Sequence, residues 1–140
     1  MLLHLLRVAS SIPKVTAVVI EKIGKNVEKT AKEKIGYYQD ESGPFNGWLS
    51  LTSGTLKYHD RMGVGDSPLI ITGELYASIS HETVKAENMQ MVTVGSNSDI
   101  GFWQEIGTNT IPPRPFIGPA MFENEKESIE LIGKAVEKAF

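Results

Sequence analysis

Histidine is the side chain that most often signals chemistry in a small protein, and this chain has three: His4, His59 and His81. None of them has a second metal-binding side chain two to four residues away, the spacing that builds many zinc sites. The chain also lacks cysteine, which excludes thiolate ligands, disulfides and a cysteine nucleophile. We therefore expect these histidines to be surface or partly buried residues that bind no metal.

Motifs for nucleophilic catalysis and phosphate binding are also missing from the sequence. No serine lies in the Gly-x-Ser-x-Gly frame of an exposed nucleophile. The stretch "GVGDSP" lacks the Lys-Ser/Thr pair that completes a phosphate-binding loop. The carboxylate pairs Asp40/Glu41 and Glu123/Glu125 fall in polar stretches, which are more typical of solvated surface than of acid–base pairs. The sequence thus predicts no enzyme and no cofactor.

Charge is distributed unevenly along the chain, whose net charge is −3. Residues 1–36 hold seven Lys and Arg against three Glu, a net charge of +4, so the remaining residues carry −7. The overall negative charge argues against a protein that binds nucleic acid by neutralising phosphates. The two oppositely charged parts could attract each other within one molecule or between copies.

The first 36 residues contain the clearest periodicity. Apolar residues recur every three or four positions from Ile12 to Ile35, which predicts an amphipathic helix over 12–35 that Ser11 caps and Gly36 ends. The preceding "MLLHLLRVASS" has too short an apolar run for a signal peptide, and we expect a helix or an interface segment there. No stretch approaches the ~20 apolar residues of a membrane span.

The rest of the chain predicts short elements and one long helix. Residues 37–68 are rich in Gly, Pro, Asp and Ser and predict a long irregular region with one short helix or strand near "SLTSGTLKYHD". We further expect a short helix that Thr72 caps and that includes Leu75 and Ile79, followed by strands at 82–87 and 89–96. A helix with Ile100, Trp103 and Ile106 at helical spacing should end at Gly107. The final helix should have Met121, Ile129, Ile132 and Val136 on its apolar side, with Phe122 nearby.

These elements predict a single α+β domain over residues 1–140, in which a small antiparallel sheet is packed by a long N-terminal helix, short middle helices and a C-terminal helix.

The stretch "GTNTIPPRPFIGPA" (107–120) is the least ordinary part of the sequence. Its prolines predict a stiff, extended connector. A ligand for an SH3-type groove is a poor explanation, because the stretch is tied to a helix on each side and Phe116 interrupts it. We expect Phe116 to plug into the core while the prolines set the path into the last helix. The connector could also present Arg114 and Ile111 to a neighbouring subunit, and Arg114 could pair with Glu105.

The stretches "FWQEIGTNTIPPRPFIGPA" and "PLIITGELYASI", together with Trp48, Leu51 and Thr55, resemble segments of the tail-completion and neck proteins of tailed phages, including minor-tail-protein-like and Mu-like virion-morphogenesis families. "FWQEIGTNTIPPRPFIGPA" is similar to their pattern of an aromatic residue, Gly-Thr, a short loop and Pro-x-Arg-Pro-Phe-(Leu/Ile)-x-Pro-Ala. "PLIITGELYASI" is similar to their Leu-x-x-Thr-Gly-x-Leu-x-x-Ser-Ile helix, and Trp48, Leu51 and Thr55 match a Trp-x-x-Leu-x-x-x-Thr run. The resemblance covers roughly residues 35–123. The residues that we assign to structure or to an interface are Trp48, Thr72, Gly73, Leu75, Gly107, Thr108, Pro113, Arg114, Pro115 and Phe116.

The resemblance implies a structural virion protein that completes the tail or joins head to tail. Such proteins assemble as rings, commonly hexameric, whose lumen passes DNA without reading its sequence. The implied partners are further copies of the chain, other neck or connector proteins, and tail-tube or tail-terminator proteins. The implied locations are the virion neck or tail and, during assembly, the host cytoplasm.

Two alternatives stay open at this stage. The chain could instead be a soluble host-side interaction module or a DNA-associated module that uses the lysines of the first helix. Phe45 and Trp48 could anchor an interface, with residues 37–68 ordering only on assembly, or they could form a small core beneath that region.

Overall fold

A computed structural model describes residues 6–10, 15–86 and 89–139, which form an α+β fold, as the sequence predicts. In chain order the elements of the described residues are β1 (Leu6–Ser10), α1 (Val15–Lys34), α2 (Ser53–Arg61), α3 (Glu74–Ser78), β2 (Ile79–Ala86), β3 (Met89–Ser96), α4 (Asp99–Ile106) and α5 (Ile117–Ala139).

The sheet has three antiparallel strands in the order β1-β3-β2, with β3 in the centre. Strands β2 and β3 are the predicted hairpin, with Thr83 opposite Val92 and Ile79 opposite Ser96. The expectation of a helix at the start of the chain is wrong for residues 6–10, which pair with β3 from Leu6↔Val94 to Ser10↔Gln90. The free edge of β3 explains this outcome, because unpaired strand hydrogen bonds there outweigh a weak local preference. Residues 1–5 lie outside the described residues.

Helix α1 packs its apolar stripe into the core, where Ile23, Val27 and Ala31 are buried, and Ile35 just after the helix continues the buried stripe. The predicted cap Ser11 lies outside the described residues. Gly36 follows the helix with a φ of 95° and donates its N–H to the Pro68 carbonyl at 2.8 Å, which ends the helix as expected.

A close approach at Gly24 fixes how α1 sits on the sheet. A Cβ at this position would lie 2.5 Å from a methyl carbon of Val92 and 3.0 Å from the His81 ring. A larger residue at this position would force the Val92 and His81 side chains or α1 itself to move, so glycine allows the helix to lie this near the hairpin.

Two carboxylates of α1 hold His81 on β2. The Nε2 atom of His81 lies 2.7 Å from Glu21 Oε1, and Nδ1 lies 2.9 Å from Glu28 Oε2. Burial lowers the pKa of His81, but the hydrogen bonds and charges of Glu21 and Glu28 outweigh burial and raise the pKa above its ordinary value. The hydrogen bonds from His81 and Thr83 lower the pKa of Glu21. Protonated His81 therefore clamps the hairpin onto α1.

We expect the protein to lose stability as pH rises through the folded-state pKa of His81. A pKa that folding raises contributes stability fully below the unfolded value, near 6.5, and that contribution disappears above the folded value. Melting temperatures measured from about pH 5 to about pH 8 should fall for the wild type and stay flatter for His81→Gln. In the Glu21→Gln/Glu28→Gln variant this fall should disappear, because the carboxylates that raise the pKa of His81 are gone and burial alone lowers it. Identical slopes for all three proteins would contradict the clamp.

Residues 37–68 form the long irregular region with one short helix, α2, inside it. Thr52 caps α2 by accepting a hydrogen bond from the Thr55 N–H at 3.3 Å. Trp48, Leu51, His59 and Pro68 are buried, so four points along the region are fixed to the domain.

Helix α5 packs mainly against α1. The contact includes a hydrogen bond from Asn124 Nδ2 to Thr30 Oγ1 at 2.9 Å and an ion pair between Lys34 and Glu123 at 2.8 Å. The predicted apolar side is wrong in part. Ile129 is 63% exposed, because the buried face runs through Ile117, Ala120, Asn124 and Ala135 instead.

The helix predicted from Thr72 is also shorter than expected. Gly73 directly precedes α3 in place of Thr72, whose Oγ1 nevertheless accepts the Glu74 N–H at 3.3 Å. Ile79 starts β2 instead of continuing the helix, because its pairing with Ser96 extends the hairpin.

Candidate functional site: a groove beside the proline strap

The strap, residues 107–116, begins with a sharp reversal at the end of α4. Gly107 has a φ of 77° and donates its N–H to the Trp103 carbonyl at 2.8 Å, so it ends α4 as predicted. The side chain of Thr108 accepts the N–H groups of Thr110 and Ile111, and its own N–H donates to the Ile111 carbonyl at 2.8 Å. These bonds close a tight turn that directs the prolines back along α4.

The other end of the strap is fixed in the core. Phe116 is fully buried, which confirms the predicted plug, and Pro115 is buried beside it, whereas Pro113 is exposed. The indole Nε1 of Trp48 donates to the Pro115 carbonyl at 2.9 Å. Trp48 is therefore a core residue that ties the irregular region to the strap.

Glu105 on α4 caps the N-terminus of α5. Its carboxylate accepts the N–H groups of Phe116, Ile117 and Gly118 at 2.7, 3.1 and 2.8 Å. These are N–H groups that have no partner within the helix. Burial raises the pKa of Glu105, and the three hydrogen bonds oppose that rise. The expected Arg114–Glu105 ion pair is wrong, because the α5 N-terminus already occupies the carboxylate.

Arg114 is a buried cation whose hydrogen-bond acceptors are main-chain carbonyls. Its Nε and Nη2 donate to the Leu49 carbonyl at 3.2 and 2.9 Å, and Nη2 also donates to the Ser50 carbonyl at 3.2 Å. The backbone N–H of Arg114 donates to the Gln104 carbonyl at 2.6 Å. Burial lowers the pKa of Arg114. Arg114 thus fastens the segment after Trp48 to the strap and α4.

Replacing Arg114 with alanine should release the segment after Trp48. Loss of the guanidinium donor leaves the Leu49 and Ser50 carbonyls without this partner. We therefore expect a destabilisation of about 1–3 kcal/mol in urea unfolding, together with faster proteolysis within residues 37–68. Arg114→Lys should fall between alanine and wild type, because lysine keeps the charge but loses the planar fork. Arg61→Ala, which changes an exposed arginine, serves as the control. Equal proteolysis of Arg114→Ala and Arg61→Ala would refute the fastening role.

A groove of about 470 Å³ opens between the strap, α3 and the segment after Trp48. Four of the residues assigned from sequence line it: Thr72, Gly73, Leu75 and Arg114. The other six lie elsewhere. Gly107 and Thr108 form the turn, and Trp48, Pro113, Pro115 and Phe116 set the path and the anchoring of the strap. The three segments that carry the family resemblance therefore meet around one groove.

The groove and its surroundings expose apolar side chains next to an unsatisfied polar group. Leu49 is 63% exposed and Ile100 is 51% exposed, and both line the groove. Trp103 and Ile106 follow Ile100 at helical spacing on α4 and are also exposed. Among the described residues, Oε1 of Gln104 is buried in the groove wall without a hydrogen-bond partner. Such a surface suits contact with another polypeptide.

His59 lines the groove, and its ring Nδ1 is within hydrogen-bond distance of the Gly65 carbonyl at 3.1 Å. Within residues 6–10, 15–86 and 89–139, no group of three or more His, Cys, Asp or Glu side chains could hold a metal ion. No helix in the same residues is long and apolar enough to cross a membrane.

Sequence reasoning missed several of these residues. Gln104 and Leu49 carry no local signal, since their importance depends on contacts with distant parts of the chain. Glu105 was expected only as a partner of Arg114. Its capping role had one available signal, which is a carboxylate at the end of an otherwise apolar helix. No protein-family model, curated protein or solved structure matches the chain.

Proposed function

We propose that this chain is a structural virion protein that completes a phage tail or joins it to the head, and that it assembles as a ring, with hexamers as the commonest form in the families it resembles. The observation that carries the proposal is the convergence of the three resembling segments. Trp48 bonds to Pro115, Arg114 bonds to the segment after Trp48, and both segments border the groove with Thr72, Gly73 and Leu75.

The exposed apolar surface supports an assembly role. Ile100, Trp103 and Ile106 are each about half exposed on α4, and exposed Leu49 lines the groove together with Ile100. Tryptophan is enriched among residues that dominate binding energy, so the half-exposed Trp103 suits an interface. A position between partner rings would cover this surface.

The remaining parts of the proposal follow from a ring at the neck. The partners are further copies of the chain, other neck or connector proteins, and a tail-tube or tail-terminator protein. DNA passes through the lumen without sequence readout. The protein works in the virion and is present in the host cytoplasm during assembly.

Deleting the gene from the phage or prophage that encodes it tests this function. The expected result is an accumulation of filled heads and separate tails, with joining restored when the wild-type chain is supplied in trans. The Ile106→Glu variant, which places a charge on the exposed α4 surface, should restore joining poorly, whereas Lys57→Glu on exposed α2 should restore it fully. Normally joined, infectious particles in the absence of the chain would overturn the proposal.

A further inference from the structure

A basic ridge runs along the solvent side of α1. Lys22, Lys25 and Lys29 are exposed, at steps of three and four residues, on the side opposite the buried stripe. At 100° per residue they fall within about 60° of one another around the helix. Among the described residues Lys22 and Lys25 form no salt bridge, and Lys29 has only a long contact of 3.8 Å with exposed Glu33.

An acidic ridge runs along α5. Glu123, Glu127 and Glu130 are exposed, at steps of four and three residues, and they also fall within about 60° around their helix. Glu123 is bonded to Lys34 and to the Ser42 hydroxyl. In the described part of the chain, Glu127 and Glu130 form no salt bridge, although α5 packs directly against α1.

Most of the ridge charges do not meet within one molecule, because α1 and α5 meet through other side chains. Their contact includes the hydrogen bond between Asn124 and Thr30 and the ion pair between Lys34 and Glu123. Glu123 is therefore already paired, and Lys22, Lys25, Glu127 and Glu130 are left for an intermolecular contact.

The spacings of the two ridges match when the helices run antiparallel. Lys22 then lies opposite Glu130, Lys25 opposite Glu127 and Lys29 opposite Glu123. Successive charges along both helices are separated by about 4.5 and about 6 Å, because each residue rises 1.5 Å. In a parallel arrangement a three-residue step on one helix would lie beside a four-residue step on the other, so the charges would be out of register by one residue.

We propose that the basic ridge of one copy docks antiparallel on the acidic ridge of the next copy. This inference rests on the proposed ring and names its lateral contact. The contact joins two different surfaces, so it is heterologous and can repeat from copy to copy until a ring closes. Exposed ion pairs contribute little each, so the ridges set orientation and register while apolar contacts supply affinity.

Charge reversal with rescue tests the contact. Sedimentation velocity compares Lys22→Glu/Lys25→Glu, Glu127→Lys/Glu130→Lys and an equimolar mixture of the two variants. Each variant alone brings like charges together, and we expect its self-association to weaken roughly tenfold or more. In the mixture every contact again joins opposite charges, so assembly should return. Lys57→Glu/Lys85→Glu and Glu41→Lys/Glu82→Lys change the net charge equally at other exposed positions and should assemble like the wild type.

The outcomes separate this contact from the proposed function. If both reversal variants, folded by circular dichroism, assemble like the wild type, the ridge contact is wrong and the ring stands. If the wild type stays monomeric even at millimolar concentration, the ridge contact and the self-assembling ring are both overturned. Fluorescein-labelled duplex DNA at low salt is the third arm. DNA binding that Lys22→Glu/Lys25→Glu abolishes, without any change in self-association, assigns the ridge to a polyanion and overturns the contact.

Discussion

Replacing Phe116 with alanine is expected to lower the free energy of unfolding by ~3–5 kcal/mol, the range for a buried phenylalanine. The ring is fully buried in the cluster that includes Val27, Trp48 and Ile117. Its removal leaves a cavity at the junction of the strap and α5, which the stiff prolines cannot easily close. Urea unfolding monitored by circular dichroism measures the change.

Phe122→Ala is the matched control for Phe116→Ala. Phe122 lies near the start of α5 but is 43% exposed, so its truncation should lower the free energy of unfolding clearly less. Equal unfolding free energies for Phe116→Ala and wild type would show that the strap is not anchored by this ring.

Replacing Glu105 with alanine is the second large effect that we expect. The N–H groups of Phe116, Ile117 and Gly118 would lose their acceptor, and hydrogen bonds to charged groups contribute about 1.5–3 kcal/mol each. Because water can enter the space left by the side chain, we expect the free energy of unfolding to fall by about 3 kcal/mol, which is less than the sum of the three hydrogen bonds.

Glu105→Gln separates hydrogen bonding from charge. The amide oxygen can still accept N–H groups of the α5 N-terminus, but the NH₂ group cannot, and the interaction with the helix dipole weakens. Its unfolding free energy should lie between those of the wild type and Glu105→Ala. An alanine variant as stable as the wild type would contradict the capping role.

Local patterns predicted the parts of the fold that depend on local physics. The stripe from Ile23 to Ile35 and the stop at Gly36 follow from helix periodicity and a left-handed glycine. The hairpin follows from alternation on both sides of residue 88. The burial of Phe116 follows from a large aromatic residue held between prolines and a helix.

Contacts between distant parts of the chain could not be predicted in this way. β1 exists because β3 offers it an edge, and nothing in residues 6–10 specifies that partner. Arg114 binds carbonyl groups, which every residue carries, so its acceptors at Leu49 and Ser50 leave no trace in the sequence. Ile129 has helical spacing yet lies exposed, because periodicity does not reveal which apolar side the domain covers.

If the proposed function holds, a phage or prophage encodes this chain, and electron microscopy of its tailed particles tests the central claim most directly. The account predicts a ring of copies of this chain at the joint between head and tail, with Phe116 buried in every copy and the α4 surface against a neighbouring protein. Complete, joined particles whose neck density contains no copy of the chain would contradict it.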